Sequence, residues 1–528
     1  MVQPKTTLLT GGHIYTPGDP DATAMAITGD TVVWIGQDGP ARALYPDAEH
    51  RDLDGAFVAP AFVDAHVHAT ATGLLTEGVD LRAAGSAQDC LALLRAAAAG
   101  VPEGGVLWAH GWDESGWPGQ RIPSRAELDE AVGHTAVYAS RIDAHSALVS
   151  GALLAAAPDV RESEGWSDGG PVTKAAHHAA RAHAIGALSG PQRERAQRAF
   201  LAEAAAQGIA AVHECSGPEI AGRSDLAALL ELGAGPEFPD VTGYWGQRSV
   251  ALPEGAHGLG GDLFVDGALG SRTAALREPY TDAPDSRGTR YLDAEQIAEH
   301  LVDCTRSRIQ AGFHVIGDAA LEEILAGFAL ARERIEGVAM RRHRLEHLEM
   351  AGAEQIAALA ELGVVASVQP LFDRAWGGDS GMYTQRLGAD RAAAMNPFAA
   401  LAAAGVILAF GSDSPVTPMR PWEAVRAAVH HRTPGSGISP RAAFAAHTRG
   451  GWRAAGVDDG VTGTLVPGAP ATYAVWEVEE LVSAPADERV QRWSTDPRAR
   501  VPALPSLAAD AAPPRCLATV LRGTAIHA

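Results

Sequence analysis

The stretch that decides the reading is Phe57-Val58-Ala59-Pro60-Ala61-Phe62-Val63-Asp64-Ala65-His66-Val67-His68. It is an apolar run that closes on His-x-His. A short apolar run bounded by turn residues reads as a buried strand. In a strand, residues two apart face the same side, so His66 and His68 can point together into a barrel mouth and ligate one metal ion. The pair alone is weak, because 20 histidines among 528 residues give about 0.8 such pairs by chance. Its place at the end of a buried-strand pattern sets it apart from ordinary polar or core histidines.

Working outward, residues 7–57 read as short strands at Leu8, Leu9, Ala24, Ala26 and 31–36, punctuated by Gly11-Gly12, Pro17 to Pro20 and Gly29-Asp30 turns. This is β-sandwich material. From Ala59 onward, alanine-rich helical stretches alternate with short apolar runs, the pattern of repeated βα units in a parallel (β/α)8 barrel of TIM type. Candidate barrel strands are 56–65, 209–213, 262–266, 312–316, 344–349, 364–370 and 406–413. The stretch between the first two is too long for one βα loop, so an insertion with its own helices is expected over about 70–205. Residues 463–475 return to a turn-and-strand pattern, 515–527 supply a final strand, and 485–514 read as an extended surface excursion. The expected organisation is therefore a small β-sandwich domain built from both termini (1–57 and 461–528) beside a barrel over 58–460.

Composition narrows the function. The chain is 46% hydrophobic with a net charge of −22, which repels nucleic acid and anionic membranes and favours a small neutral or cationic substrate. Cys90, Cys215, Cys304 and Cys516 stand isolated, so neither a disulfide framework nor a CxxC zinc motif is available, and a reducing cytoplasm is the expected location. Residues 1–10 lack the features of an export signal, and no long uncharged apolar run follows.

Three further patterns accompany the first. Gly312-Phe313-His314-Val315-Ile316-Gly317-Asp318 and Arg344-Leu345-Glu346-His347-Leu348 each place one histidine in a short apolar strand followed by a helical stretch. Val406-Ile407-Leu408-Ala409-Phe410-Gly411-Ser412-Asp413 ends an apolar strand on an aspartate, where an acidic side chain emerges at the C-terminal face of a barrel. Taken singly, a buried histidine or a turn aspartate is more often structural. Taken together, in this order and at strand ends, the four resemble the amidohydrolase superfamily.

The resemblance is closest to the branch containing N-substituted formamide deformylases, and Asp262 to Leu276, Phe313 to Ala320, Ala366 to Pro370 and Gly463 to Gly468 carry it further. It implies Zn2+ or a similar divalent ion held by His66, His68, His314 and His347, with Asp413 as ligand and proton shuttle. Imidazoles with a carboxylate suit zinc, while iron or manganese stay open. It also makes His145 a candidate substrate contact and a homodimer a reasonable expectation. The implied activity is hydrolysis of a non-peptide C–N bond. Deamination of a heterocyclic amine on the same fold and a metal-holding protein without turnover are the rival readings.

Other residues are weighed one by one. Trp108, His110, Trp112 and Trp117 could line a pocket, with Trp112 the candidate substrate contact, or pack the insertion. Arg272 could bind a carbonyl or carboxylate, or fix its loop through a salt bridge. Asp64 and Glu346, each next to a ligand candidate on the opposite strand face, read as structural hydrogen-bonding groups. Many relatives carry a carboxylated lysine where this chain has Asp262, whose carboxylate lies roughly 5 Å nearer the backbone at about 1.5 Å per bond. A single zinc with Asp262 outside the ligand set is therefore favoured. Two ions, with Glu214 contributing, is the alternative.

Overall fold

The run from Phe57 to His68 holds two strands. In the computed structural model, which describes residues 5–142, 146–218, 220–483 and 502–528, Phe57–Pro60 belongs to one sheet and Phe62–Val67 to another. The chain changes sheets at Ala61, whose N–H donates to Thr472 O, while the N–H of Phe62 donates to Gly208 O. Residues 57–60 therefore lie in the small β domain, and the barrel begins at Phe62 rather than at 58. Packing holds the junction. Phe62 is fully buried, with edge-on rings at 5.1 Å (Trp422), 5.4 Å (Phe444) and 5.7 Å (Trp476).

The β domain has two sheets. One runs in the order Thr31–Gly36, Ala24–Thr28, Thr6–Thr10, Glu49–Asp52, and the other in the order His13–Ile14, Phe57–Pro60, Tyr473–Glu477, Arg515–Leu521, Thr524–His527. Leu9, Met25, Val32, Val58, Leu465, Tyr473 and Val520 form its core. The final segment is a hairpin, not one strand, because Arg522 and Gly523 both take positive φ at its turn. Of the 485–514 segment, residues 485–501 lie outside the described residues, while Leu504–Pro505 pairs with Leu481–Val482.

The barrel sheet has eight parallel strands in chain order: Phe62–Val67, Ile209–Ser216, Asp240–Trp245, Gly258–Leu259, Gln310–Val315, Arg344–His347, Val365–Val368 and Ile407–Phe410. A bridge between Val67 and Ser414 and the hydrogen bond from Asp413 N to His66 O (2.8 Å) join the eighth strand to the first. This is the (β/α)8 arrangement. Two strands differ from expectation. The third was missed because Asp240, Thr242 and Gly243 interrupt its apolar pattern. The fourth is only Gly258–Leu259, and 262–266 is irregular backbone held by a bridge between Phe264 and His314, because Gly261 takes φ +72.

The described residues divide into two compact units, and 68–201 with 218–229 form the second. It contains a five-stranded sheet as well as the expected helices: Val79–Asp80, Val106–Trp112, Ala136–Arg141, Ser146–Val149 and Val172–Thr173. Alternation along Val106–Trp112 sends Val106 and Trp108 into one apolar cluster and Leu107 and Ala109 into another. Among the described residues, no helix is long and apolar enough to cross a membrane.

The barrel interior departs from the usual filling of branched apolar side chains. Arg344, on the sixth strand, is 0% exposed. It donates to Glu346 Oε1 (2.9 Å) and Oε2 (3.0 Å), Ser367 Oγ (3.1 Å) and Ala65 O (2.7 Å), and it meets His213 Nδ1 at 2.8 Å. Its guanidinium also lies 4.3 Å from the centre of the Tyr244 ring. Five strands thus converge on one buried cation. Burial alone would raise the Glu346 carboxyl, but Arg344 first and His66 second hold it well below the usual carboxylate range.

That pair generates a pH-dependent prediction. Glu346→Gln strands a buried guanidinium, so metal-free protein should lose about 3–5 kcal/mol at pH 7 in a urea titration. Because Glu346 has a lowered folded pKa, its stabilisation is complete above its unfolded value of about 4.3 and is lost as pH falls below that. The variant should therefore show a shallower decline between pH 5 and 3.5. Equal midpoints and equal acid slopes would contradict this role.

Candidate metal centre

Three histidines arrive from three strands with one nitrogen already engaged. His66 Nδ1 lies 2.9 Å from Glu346 Oε2, His314 Nε2 lies 3.2 Å from Gly267 O, and His347 Nδ1 lies 2.8 Å from Gln369 Oε1. Each partner is an oxygen that only accepts, so each of these nitrogens donates, and whenever the ring is neutral its lone pair is on the other nitrogen. Those other nitrogens converge on one atom. Asp262 Oδ1 is 3.5 Å from His66 Nε2, 3.5 Å from His314 Nδ1 and 3.7 Å from His347 Nε2. Asp413 Oδ1 is 3.6 Å from His66 Nε2.

Backbone geometry sets these directions. His347 ends its strand at φ +72, so its side chain turns to the mouth although strict alternation gives that face to Arg344 and Glu346. Its ring stacks on Phe372, 6.0 Å away and inclined by 10°. Asp413 also has positive φ, at +53. Asp64 Oδ1 accepts from Ser412 N (2.8 Å) and His66 N (3.4 Å), tying the Asp413 turn to the first strand. Burial pushes the Asp64 carboxyl up to about 6. At Gly411 a Cβ would fall 2.6 Å from His66 N, so only glycine lets the two strand ends meet.

These side chains tune one another's charge. Burial disfavours an ionised Asp262, yet His66, His314 and His347 around it hold its carboxyl well below the usual range. Burial likewise opposes charge on His66 and His314. Cys215 and the carboxylates of Asp262 and Asp413 reverse this for His66, and Asp262 and Asp266 do so for His314, so both rings lie above the usual imidazole value. Three imidazoles with two carboxylates, all buried, form a donor set that fits Zn2+ or another divalent ion.

The remaining candidates lie as follows. His68 caps the helix Ala69–Glu77 and opens the second unit, two positions beyond His66. Asp262 reaches the histidines, with Oδ1 at 3.5 Å from both His66 Nε2 and His314 Nδ1. Glu214 is buried in the second strand, opposite Gly243. Trp112 requires a correction. It is 0% exposed in the second unit's core, with its indole N–H on Ala139 O (2.9 Å), and it leaves no face for a substrate. Arg272 makes the loop-fixing salt bridge, with Asp282 at 2.8 and 3.0 Å. His145 lies outside the described residues.

Sequence reasoning undervalued Glu346, Gln369 and Asp266. Asp266, in the Phe-x-Asp-Gly element, accepts from Ile316 N (3.0 Å), Gly317 N (2.8 Å) and Ala275 N (2.8 Å), which pins the end of the His314 strand. Cys215 Sγ, His66 and Glu346 also come together. Burial pushes the Cys215 thiol up to about 12, so it stays neutral.

Known proteins are similar to this chain along most of its length. Protein LONG AFTER FAR-RED 3 of Arabidopsis thaliana is 27% identical over 516 residues, covering 89% of this chain and 86% of that protein. N-substituted formamide deformylase of Arthrobacter pascens is 23% identical, over 78% of this chain and 81% of its own. An uncharacterized metal-dependent hydrolase from Pyrococcus furiosus superposes with a TM-score of 0.75 at 26% identity, over 89% of this chain and 98% of that one. The profile of the Amidohydrolase family spans residues 49–527, and the chain belongs to that family.

Proposed function

We propose that this hydrolase cleaves a non-peptide C–N bond, an amide or formamide, in a small neutral or cationic molecule. The observation that carries the reading is the convergence of His66, His314 and His347 with Asp262 and Asp413 at one end of the barrel. The formamide deformylase of Arthrobacter pascens, similar along most of its length, supports the choice of bond. The net charge of −22 favours a substrate without negative charge.

His66, His68, His314, His347 and Asp413 would hold the ion, for which we propose Zn2+. When bound, such an ion polarises a carbonyl oxygen and lowers the pKa of water towards neutrality. The protein's own residues do the rest. Asp413 takes a proton from the attacking water on its carboxylate and delivers it to the departing nitrogen as the C–N bond breaks. Its backbone N–H is held by His66 O, so the carboxylate stays beside the ligand it serves. Glu346 and Gln369 keep His66 and His347 in the required tautomers. The isolated cysteines suit a cytoplasmic enzyme.

Two outcomes are expected. A panel of N-formyl, N-acyl and heterocyclic amine substrates should show turnover of the amides, lost with chelator and restored by Zn2+. Release of ammonia from the heterocyclic amines alone would favour deamination, and no turnover with a full metal complement would favour a binding protein. Asp413→Asn should lower kcat by about 10²–10⁴-fold while the melting temperature stays near that of the parent, because an amide cannot accept the proton. Near-parental kcat at normal metal content would remove Asp413 from this role.

A further inference from the structure

We propose that Phe264 and Trp376 are specificity-determining residues, which select a substrate carrying a neutral, flat apolar group beside the bond to be cleaved. The proposal deepens the C–N hydrolase reading above and rests on it for the place of the reaction. An arc of rings carries it. Phe264 lies 4.7 Å from His314, His314 lies 4.5 Å from His347, His347 lies 6.0 Å from Phe372, and Phe372 lies 4.6 Å from Trp376, centre to centre. The three middle rings are buried, whereas Phe264 and Trp376 at the two ends keep part of their surface exposed. Local structure places both ends. Phe264 bridges to His314 and sits two residues after Asp262, whose Oδ1 is 3.5 Å from His314 Nδ1, so both side chains meet the same imidazole. Phe372 and Trp376 are four apart on the helix Pro370–Trp376 and therefore share one of its faces.

One packed cap holds the two ends. Leu269 and Leu276, which follow Phe264, share an apolar cluster with Tyr383 and Leu387, and Trp376 packs against that cluster. Arg386 ties the same segments together by donating to Gly270 O at 3.1 Å and to Asp282, and Arg391 donates to Pro279 O at 2.8 Å. Aromatic faces fixed in advance bind a flat ring without the cost of ordering them. Such faces also attract cations. Here the carboxylates of the cap and of the strand ends beneath it are already engaged, Asp282 with Arg272 and Arg386, Glu349 with Tyr383, and Asp266 with three backbone N–H groups. Asp262 and Asp413 belong to the centre already described. A neutral ring is therefore the occupant that fits.

The test compares two amides and adds a ligand with no C–N bond, all on the full metal-loaded chain. Parent protein should show a kcat/KM for N-phenylacetamide about 10–100-fold above that for N-methylacetamide, the gain expected from burying one ring. Phe264→Ala and Trp376→Ala should each remove about 10-fold of this through KM, leaving kcat and the methyl substrate within about twofold, and Trp376→Phe should keep most of it. In a titration followed by NMR, acetophenone should bind the parent, and each alanine variant should weaken it by about 10-fold. Variants that slow both amides equally would mark a structural role and overturn the proposal. Acetophenone binding unchanged in both variants, or tetramethylammonium binding the parent more tightly than acetophenone, would overturn it too. Turnover of neither amide, with acetophenone binding as expected, would sink the C–N reading and leave the aromatic site standing.

Discussion

The ion pair of Arg344 and Glu346 is the constraint on which the rest depends. A guanidinium with no solvent contact must find every partner within the barrel, and it finds them on the first, second, sixth and seventh strands. The same carboxylate then accepts from His66 Nδ1 at 2.9 Å. The group that neutralises the core therefore also fixes a tautomer at the mouth. Replacing such a pair by apolar side chains is often neutral or stabilising elsewhere. Here that exchange would leave His66 without its acceptor, which gives the buried charge a reason beyond stability.

The wider centre follows the same logic of oxygen acceptors behind imidazoles. Gly267 O and Gln369 Oε1 do for His314 and His347 what Glu346 does for His66. Asp266 and Asp64, each bonded to backbone N–H groups, fix the strand ends that carry His314 and Asp413. The ligands come from separate strands, so their precision is a matter of barrel register. In that register, Gly312 faces Arg344 and His314 faces Glu346 on the neighbouring strand.

The His-x-His, His314, His347 and Asp413 signals were legible because each ends an apolar run, and burial with strand periodicity is visible in a single chain. What sits behind them was not. Alternation puts Glu346 and His347 on opposite faces, but it assumes an unbroken strand, and His347 breaks it with a positive φ. Side-chain length at Asp262 can be counted in a sequence, whereas the close approach of the backbone at Gly246, Gly260 and Gly312 cannot. The third strand, with Asp240, Thr242 and Gly243, lacked apolar content, and the first hid a change of sheet at Ala61. Trp112 looked like a pocket residue because a cluster of aromatics carries no direction until the sheet that buries it is known.

One end of the barrel brings together histidine and aspartate side chains that fit a divalent cation. Diffraction from zinc-replete crystals on either side of the zinc absorption edge tests it directly. The expected result is an anomalous peak bounded by His66, His68, His314, His347 and Asp413. Fully zinc-loaded crystals with their anomalous density elsewhere, or with none among these side chains, would contradict it.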